Sequence, residues 1–517
     1  MVPSSSGEMM PANSGDGIGD DLPRIFARSA DSPLVAAAFE AESIDRLPLC
    51  VDLDGTLVRT DTLVEGLISL FGSMNPRTIV GAFAAGRSGL KARVAAAAPF
   101  DPALLPYNEP LLDYIRAERA KGRYIVLATA ANEAVAVRVA SHLGLFDEVI
   151  ASTSGHNLKG AAKAEALIAR FGVAGFAYAG DARADLPVWR QSAAAILVNV
   201  SAGVAARVRA GSPIEHAIDD RPPLAAALLR AMRPHQWVKN LLVFVPIFTA
   251  DAMTNWPSWA GGILAFLAFS AVASSIYLLN DLLDLASDRA HPQKRNRPFA
   301  AGTAPLPAGV LLSVFLLLAG AVLARQAGIL SVVLSYAAMS LGYSLWLKRQ
   351  PLVDVFALAG LYTVRLIGGG EATQHALSLW LLAFASFLFL SLALVKRVAE
   401  VIDSANRSVR VVSGRGYGPA DLIILELFGV CSTFAASLVL ALYVQNETTA
   451  SRYASPALLW GIVPLVLLWS CRMWLSTTRG YMHHDPIMYA ARDRVTWAVV
   501  GAMVLVVLAA RAGMPLP

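Results

Sequence analysis

Three aspartates crowd the stretch NDLLDLASDRAHPQKRNRP, Asn280 to Pro298, which follows the apolar run Trp259 to Leu279 without a break. Asp281, Asp284 and Asp288 are spaced i, i+3, i+7, so a helix continuing from that run carries them on one face, with Asn280 beside Asp284. Unpaired carboxylates beside lipid are costly. A hard cation such as Mg²⁺ resolves the cost, with carboxylates on one side and room for diphosphate oxygens on the other. Arg289, Lys294, Arg295 and Arg297 come next and suit a ligand carrying several phosphates, although topology alone also puts basic residues in such a loop. A second acidic set lies far upstream. In PLCVDLDGTLVRTDTL an apolar strand, Pro48 to Leu53, brings in Asp52 and Asp54, which strand alternation aims the same way before Gly55 permits a sharp turn. Thr129 ends the run YIVLATA, Lys163 lies in LKGAAKAEAL, and Asp181 and Asp185 follow the strand-like run FAYAG. Acidic and hydroxyl groups at the carboxyl ends of parallel strands are where open α/β sheets build their sites.

The elements that position these groups fall into two classes. The chain has 517 residues, 56% of them hydrophobic and 16% charged, which excludes an ordinary soluble protein. The bias is uneven. Residues 1 to about 45 are rich in Ser, Gly, Pro and Asp, carry neither the basic nor the apolar part of a signal peptide, and read as a disordered lead. Residues 46–215 mix charged and apolar segments as an α/β domain does, with a mainly helical cap at about 60–120 and a linker at 216–235. From 236 to 517 the chain reads as an all-α membrane domain of nine spans, roughly 236–252, 258–280, 306–324, 328–347, 353–370, 376–395, 422–445, 456–475 and 495–512. With the α/β domain in the cytoplasm, the loops at about 281–305, 348–352, 396–421 and 476–494 are cytoplasmic and hold nearly all the remaining Lys and Arg. The opposite loops hold only Arg325 and Arg452, as the positive-inside rule requires. Cys50, Cys431 and Cys471 read as small buried side chains rather than a disulfide framework.

The four motifs around Asp52, Thr129, Lys163 and Asp181, in that order, resemble the haloacid dehalogenase phosphatase superfamily over about residues 47–200. The resemblance implies a Rossmann-like domain in which Asp52 is the nucleophile that forms an aspartyl-phosphate and Asp54 is the general acid and base. It further implies that Thr129 and Lys163 hold the phosphoryl oxygens, while Asp181 and Asp185 hold Mg²⁺ against Asp52.

The motif NDxxDxxxD in a many-span protein resembles the UbiA superfamily of intramembrane prenyltransferases over about residues 228–512. RPHQWVKN, DRAHPQKRNRP, YSLWLKRQPLVDVFALAGLYTVRLIGGG and LVKRVAE are similar to the branch of decaprenyl-phosphate phosphoribosyltransferases. That branch joins a polyprenyl phosphate to 5-phosphoribosyl diphosphate, with Mg²⁺ held by the residues at Asp281, Asp284 and Asp288. Lys239, Lys348, Arg365 and Lys396 lie near the ends of spans or within one and suit the phosphates of sugar donor and lipid. Tyr343, Tyr362 and Arg397 fall in the same stretches and join the substrate-side candidates. Arg365 stands about three helical turns beyond Asp354, where a cation faces a polar cavity or an acidic partner. Aromatic prenyltransferases of the superfamily carry a second acidic motif, whereas position 358 here is Leu; Asp354 is left for ribose hydroxyls or a single metal.

The combined expectation is a Mg²⁺-dependent phosphoribosyltransferase fused to a phosphatase that removes the 5-phosphate of its product, in the cytoplasmic membrane with the phosphatase inside. The alternatives are a prenyltransferase acting on an aromatic acceptor and, from another class, a transporter whose acids mark a permeation path. Expected partners are the polyprenyl phosphate, phosphoribosyl diphosphate and the bilayer, with no nucleic acid and with homo-oligomerisation left open. His483, His484 and Asp485 suggest a metal site or, better, a loop anchor, with Asp493 and Arg494 pairing at the surface; residues 404–422 form a long connection suited to a lid.

Overall fold

The computed structural model describes residues 47–72, 94, 101–153, 156–406, 416–446, 451–482 and 485–513. The expected lead, the middle of the cap, His483, His484 and residues 407–415 of the proposed lid lie outside the described residues. The chain forms two compact units: one of residues 1–56, 109–152 and 156–219, the other of 57–108, 153–155 and 220–517.

The first unit is built on six parallel strands, β1 (Leu49–Val51), β2 (Ile125–Asn132), β3 (Glu148–Ser152), β4 (Ala177–Gly180), β5 (Ala194–Val198) and β6 (Ile214–Ile218), in the order β3-β2-β1-β4-β5-β6. Strand β1 is fully buried, as an all-parallel sheet demands of a central strand. It pairs β2 on one side and β4 on the other, so the strand order reverses at its carboxyl end, which is the switch point where such sheets bind ligands. Cys50, Phe176, Tyr178, Trp189 and Leu197 pack one core, and the Trp189 indole donates to the Tyr178 carbonyl. Strand β2 continues past Thr129 to Asn132, and the sheet runs past residue 215 to Ile218.

Among the described residues of the second unit, seven helices are long and apolar enough to cross a membrane: Trp256–Leu283, Leu306–Gln326, Val353–Ala372, Leu379–Ala405, Pro419–Gln445, Pro456–Thr478 and Arg494–Ala512. Seven of the nine expected spans thus have a helix of that length and composition, and two do not. The segment expected at 328–347 is a helix of 16 residues, Leu330–Leu345, below the roughly 20 that a span needs. The segment expected at 236–252 is a 3₁₀ turn, Pro234–Phe244, then a five-residue helix, Val245–Thr249. The change falls at Pro246, whose missing N–H prevents one continuous ladder. Hydroxyl and amide groups stitch these elements together: the Ser275 hydroxyl donates to the Ser313 carbonyl at 2.7 Å, and the Asn240 amide donates to the Ser270 hydroxyl at 2.9 Å. Cys50 is buried as expected, but Cys431 and Cys471 are exposed on the outer sides of their helices, which corrects the reading of all three as core residues.

Residues 57–108 count with this helical unit. Val64 and Ile68 of the helix Thr62–Gly72 pack against a cluster containing Leu278, Leu282, Leu285, Phe299 and Leu306. Gly302, at φ +67°, lies so close to Arg59 that a Cβ there would come within 2.7 Å of the Arg59 carbonyl.

Close helix approach also fixes the far side of the bundle. A Cβ added to Gly429 would lie 1.9 Å from the ring of Trp474, whose indole N–H is shared by Ser391 and Thr433 at 3.0 and 3.2 Å. Gly429→Ala is expected to cost about 1–3 kcal/mol by overpacking. Thermal unfolding in detergent would register it, and Trp474→Phe in the same chain should restore part of the loss.

Candidate functional site

The first constellation sits at the carboxyl end of β1. Asp52 follows Val51 directly, is buried, and accepts from the Leu53 amide at 2.8 Å. Lys163 enters from the helix Ala161–Phe171 and places Nζ 3.0 Å from Asp52 and 3.5 Å from Asp185. The buried Tyr178 hydroxyl accepts from Lys163 at 2.7 Å and donates to Asp185 at 2.8 Å, fixing the acid and the amine together. Asp181 accepts from Thr56 at 3.3 Å. Gly55 has φ +81°, and a Cβ there would stand 2.4 Å from the Asp181 carboxylate, so only glycine permits this approach. Thr129 is buried in β2 at the same end of the sheet and accepts from the Ala131 amide at 3.0 Å. Asp54 is half-buried beside them.

Carboxylate oxygens of Asp52, Asp181 and Asp185 all lie within 4.8 Å of one another, an all-oxygen donor set that fits Mg²⁺. Burial pushes the Asp52 carboxyl above its ordinary range, while Lys163 pulls it down. Burial disfavours the charged Lys163, but Asp52 and Asp185 outweigh it and hold the amine protonated. Every residue expected for this site is thus at one end of the sheet.

The acids of the helical unit are arranged differently from the expectation. The helix Trp256–Leu283 stops before Asp284, whose φ −94° and ψ 13° break the ladder ahead of the short helix Leu285–Ala290. The three aspartates therefore do not share one helical face. Asp281 and Asp288, both nearly fully buried, converge on the Arg297 guanidinium at 3.1 and 2.6 Å, and Asp281 also pairs with Arg233. Asp284 is half-exposed and turns to Lys348 at 3.5 Å. Asp281 and Asp288 fit a shared hard cation by donor type and convergence; Asp284 does not join them. Asn280 donates to the Ser344 hydroxyl at 2.8 Å.

The cations expected to receive phosphates divide into three groups. Arg297 stands at the acidic pair, and Lys294 and Arg295 are exposed next to it. Arg289 is taken by Glu65, with a second contact at 3.1 Å, and donates to the Ala300 carbonyl at 3.0 Å. Arg365 donates to Asn240 at 2.7 Å, to the Leu361 carbonyl at 2.5 Å and to Tyr336 at 2.8 Å, so its partners are polar but neutral rather than acidic. Asp354 is fully buried, pairs with Arg397 and accepts from Tyr417 at 2.6 Å. Arg397 also pairs with Glu400 and bonds Tyr343. Asp354, expected to meet ribose hydroxyls or a single metal, is instead the counter-ion of Arg397.

Lys239 and Lys396 meet at Asp485, at 2.6 and 3.4 Å, with Lys239 lying 5.8 Å above the Tyr362 ring. Burial raises the Asp485 carboxyl, but Lys396 and Lys239 overcome it and hold the group at about 2. Asp485 was expected to anchor a loop, and the motif's short apolar flank PIM is the signal that points inward. Asp493 pairs with Arg472 rather than the expected Arg494, and caps the last helix through Thr496 at 2.8 Å. Arg233 also went unrecognised; its left-handed φ of 55° is uncommon for a side-chain-bearing residue and is not legible from composition. A cavity of about 580 Å³ lined by Gly328, Glu371, Gln374 and His375 lies at the far end of the helix that carries Asp354, away from all these charges.

Residues 241–484 match the UbiA prenyltransferase family, and residues 70–190 match the haloacid dehalogenase-like hydrolases, a span that begins after Asp52 and Asp54. An uncharacterized protein y4nM of Sinorhizobium fredii is 36% identical over 469 residues, covering 89% of this chain and 90% of that one. Nodulation protein NoeC of Azorhizobium caulinodans is 36% identical over 51% of this chain and 86% of its own length. Decaprenyl-phosphate phosphoribosyltransferase of Corynebacterium glutamicum is 33% identical over 49% of this chain and 79% of its own. A UbiA homolog from Archaeoglobus fulgidus bound to GPP and Mg²⁺ is 14% identical with a TM-score of 0.43, covering 55% of this chain and 99% of that one. The chain belongs to the UbiA prenyltransferase family, with relatives among the decaprenyl-phosphate phosphoribosyltransferases, and carries a haloacid dehalogenase-like hydrolase domain ahead of its membrane half.

Proposed function

We propose that the helical half joins a polyprenyl phosphate to 5-phosphoribosyl diphosphate, and that the α/β half removes the 5-phosphate from the lipid-linked product. The observation that carries this reading is Asp354. A prenyl diphosphate substrate calls for a second acidic metal motif, whereas here position 358 is Leu and Asp354 is committed to Arg397 and Tyr417. The similarity to a decaprenyl-phosphate phosphoribosyltransferase supports the substrate pair.

In the transfer, a phosphate oxygen of the lipid bonds to C1 of the ribose as the C1–O bond to diphosphate breaks. Asp281 and Asp288 would hold Mg²⁺, which neutralises the leaving diphosphate. Arg297, already between those carboxylates, is placed to bind the same diphosphate, and Arg233 keeps Asp281 in position. In the second reaction the Asp52 carboxylate attacks the 5-phosphate. Asp54 protonates the departing ribose oxygen and then activates the water that cleaves the aspartyl-phosphate. Lys163 neutralises the phosphoryl oxygens, and its tie to Tyr178 keeps the amine aimed at Asp52. Asp52, Asp181 and Asp185 would hold the Mg²⁺ of this site. The product is polyprenyl-phosphoryl ribose, a precursor for ribosyl or, after epimerisation, arabinosyl transfer. Both sites face the cytoplasm in this reading, and tethering raises the effective concentration of the second site for a membrane-confined product.

Purified full-length protein with Mg²⁺, polyprenyl phosphate and radiolabelled phosphoribosyl diphosphate should put label into lipid lacking the 5-phosphate. Asp52→Asn should leave transfer intact and accumulate the phosphorylated lipid, followed by mass. No label in lipid, under conditions where a prenyl diphosphate and an aromatic acceptor are consumed, would replace the phosphoribosyl reading with an aromatic prenyltransferase. Independently, Asp288→Asn or Arg297→Ala should lower transfer by about 10²-fold or more while hydrolysis of p-nitrophenyl phosphate by the α/β half stays unchanged.

A further inference from the structure

The charge around Lys239 does not balance. Lys239 and Lys396, with side chains 8% and 25% exposed, share the single carboxylate of Asp485. Arg365 adjoins them: its guanidinium and the Lys239 ammonium both lie on the Tyr362 ring, at 5.9 and 5.8 Å, and Arg365 is held by neutral oxygens. Among the described residues, three cations and one anion leave a surplus of two positive charges in a mostly buried place. Elsewhere in the helical unit the described ion pairs are closer to balance. Arg233 and Arg297 face Asp281 and Asp288, and Arg397 faces Asp354 and Glu400.

Burying uncompensated charge is expensive, so such a surplus marks the seat of an anion. A phosphate monoester carries between −1.5 and −2 at neutral pH, which matches the surplus, and its oxygens accept from ammonium groups as a carboxylate does. We propose that Lys239 and Lys396 receive the phosphate of the lipid acceptor, and that Asp485 is an internal stand-in which occupies that place until the phosphate displaces it. This rests on the phosphoribosyltransferase reading and assigns the acceptor end of the reaction, leaving the diphosphate to Asp281, Asp288 and Arg297. Displacement costs the Asp485 carboxylate its two lysines, so the empty site is closed by its own chain and opens only to a competing anion of higher charge.

The test is binding by the full chain in nanodiscs, which needs no turnover. Asp485→Asn removes the charge but keeps a carbonyl oxygen for the Ile487 amide, which Asp485 accepts at 3.2 Å. The variant should bind polyprenyl phosphate about tenfold tighter or more and bind polyprenol as before. Unchanged or weaker binding of polyprenyl phosphate, or an equal gain for polyprenol, would overturn the assignment. In the unaltered protein, amine-reactive labelling of Lys396 should be blocked by polyprenyl phosphate but not by polyprenol, inorganic phosphate or ribose 5-phosphate at equal concentration. Protection by either free phosphate without protection by the lipid would sink it, whether or not the variant folds. If these binding results hold while no phosphoribosyl transfer occurs, the acceptor site stands and the reaction assigned to it fails; if transfer occurs without them, the reverse is true.

Discussion

Asp281 and Asp288 close on one guanidinium, Arg297, at the mouth of a long apolar helix, and much of the helical unit is arranged around that contact. Two carboxylates at such a depth are tolerable only when compensated. Arg233 and Arg297 do so, one from the turn before the first short helix and one from the loop after the acids. The break of the helix at Asp284 follows from the same need, because a straight helix would carry the third acid onto the same face without a third cation to meet it. Asp284 reaches Lys348 instead.

The two halves solve a similar electrostatic problem with different parts. In the α/β half, three carboxylates sit near each other around one lysine, and the tyrosine between amine and acid fixes the geometry through neutral hydrogen bonds. In the helical half, arginines dominate, and their planar forks can pass between a carboxylate and a phosphate without losing their shape. Under the proposed function, a site releasing a diphosphate would gain from cations able to change partners, and one forming an aspartyl-phosphate from a rigid nucleophile.

The start of the α/β site was legible from a local signal, an apolar strand, then acids, then a glycine that only a tight approach can require, whereas Thr129 and Lys163 were expected only from the family resemblance. Strand β1 and Gly55 bear this out. The helical half was legible in its apolar runs but not in its pairings. Hydropathy cannot tell that Pro234–Thr249 is a turn and a short helix packed inside the unit, since both alternatives bury apolar surface. Nor can spacing reveal which cation a carboxylate chooses across a bundle. Asp354 with Arg397, Glu65 with Arg289, and Asp485 with Lys239 are separated by 43, 224 and 246 residues by their positions in the chain. Those pairings decide which charges remain for a ligand.

The membership of residues 57–108 in the helical unit bears on how such a chain could have been assembled. The decaprenyl-phosphate phosphoribosyltransferase of Corynebacterium glutamicum aligns with the UbiA half of this chain over 79% of its own length. In this chain that half takes Val64 and Ile68 over Leu278, Leu282 and Phe299, and Glu65 onto Arg289. A cut after the last strand of the sheet would strip both the apolar cover and the counter-ion from the helical unit. Residues 57–108 therefore lie between strands β1 and β2 in sequence yet pack with the helical unit.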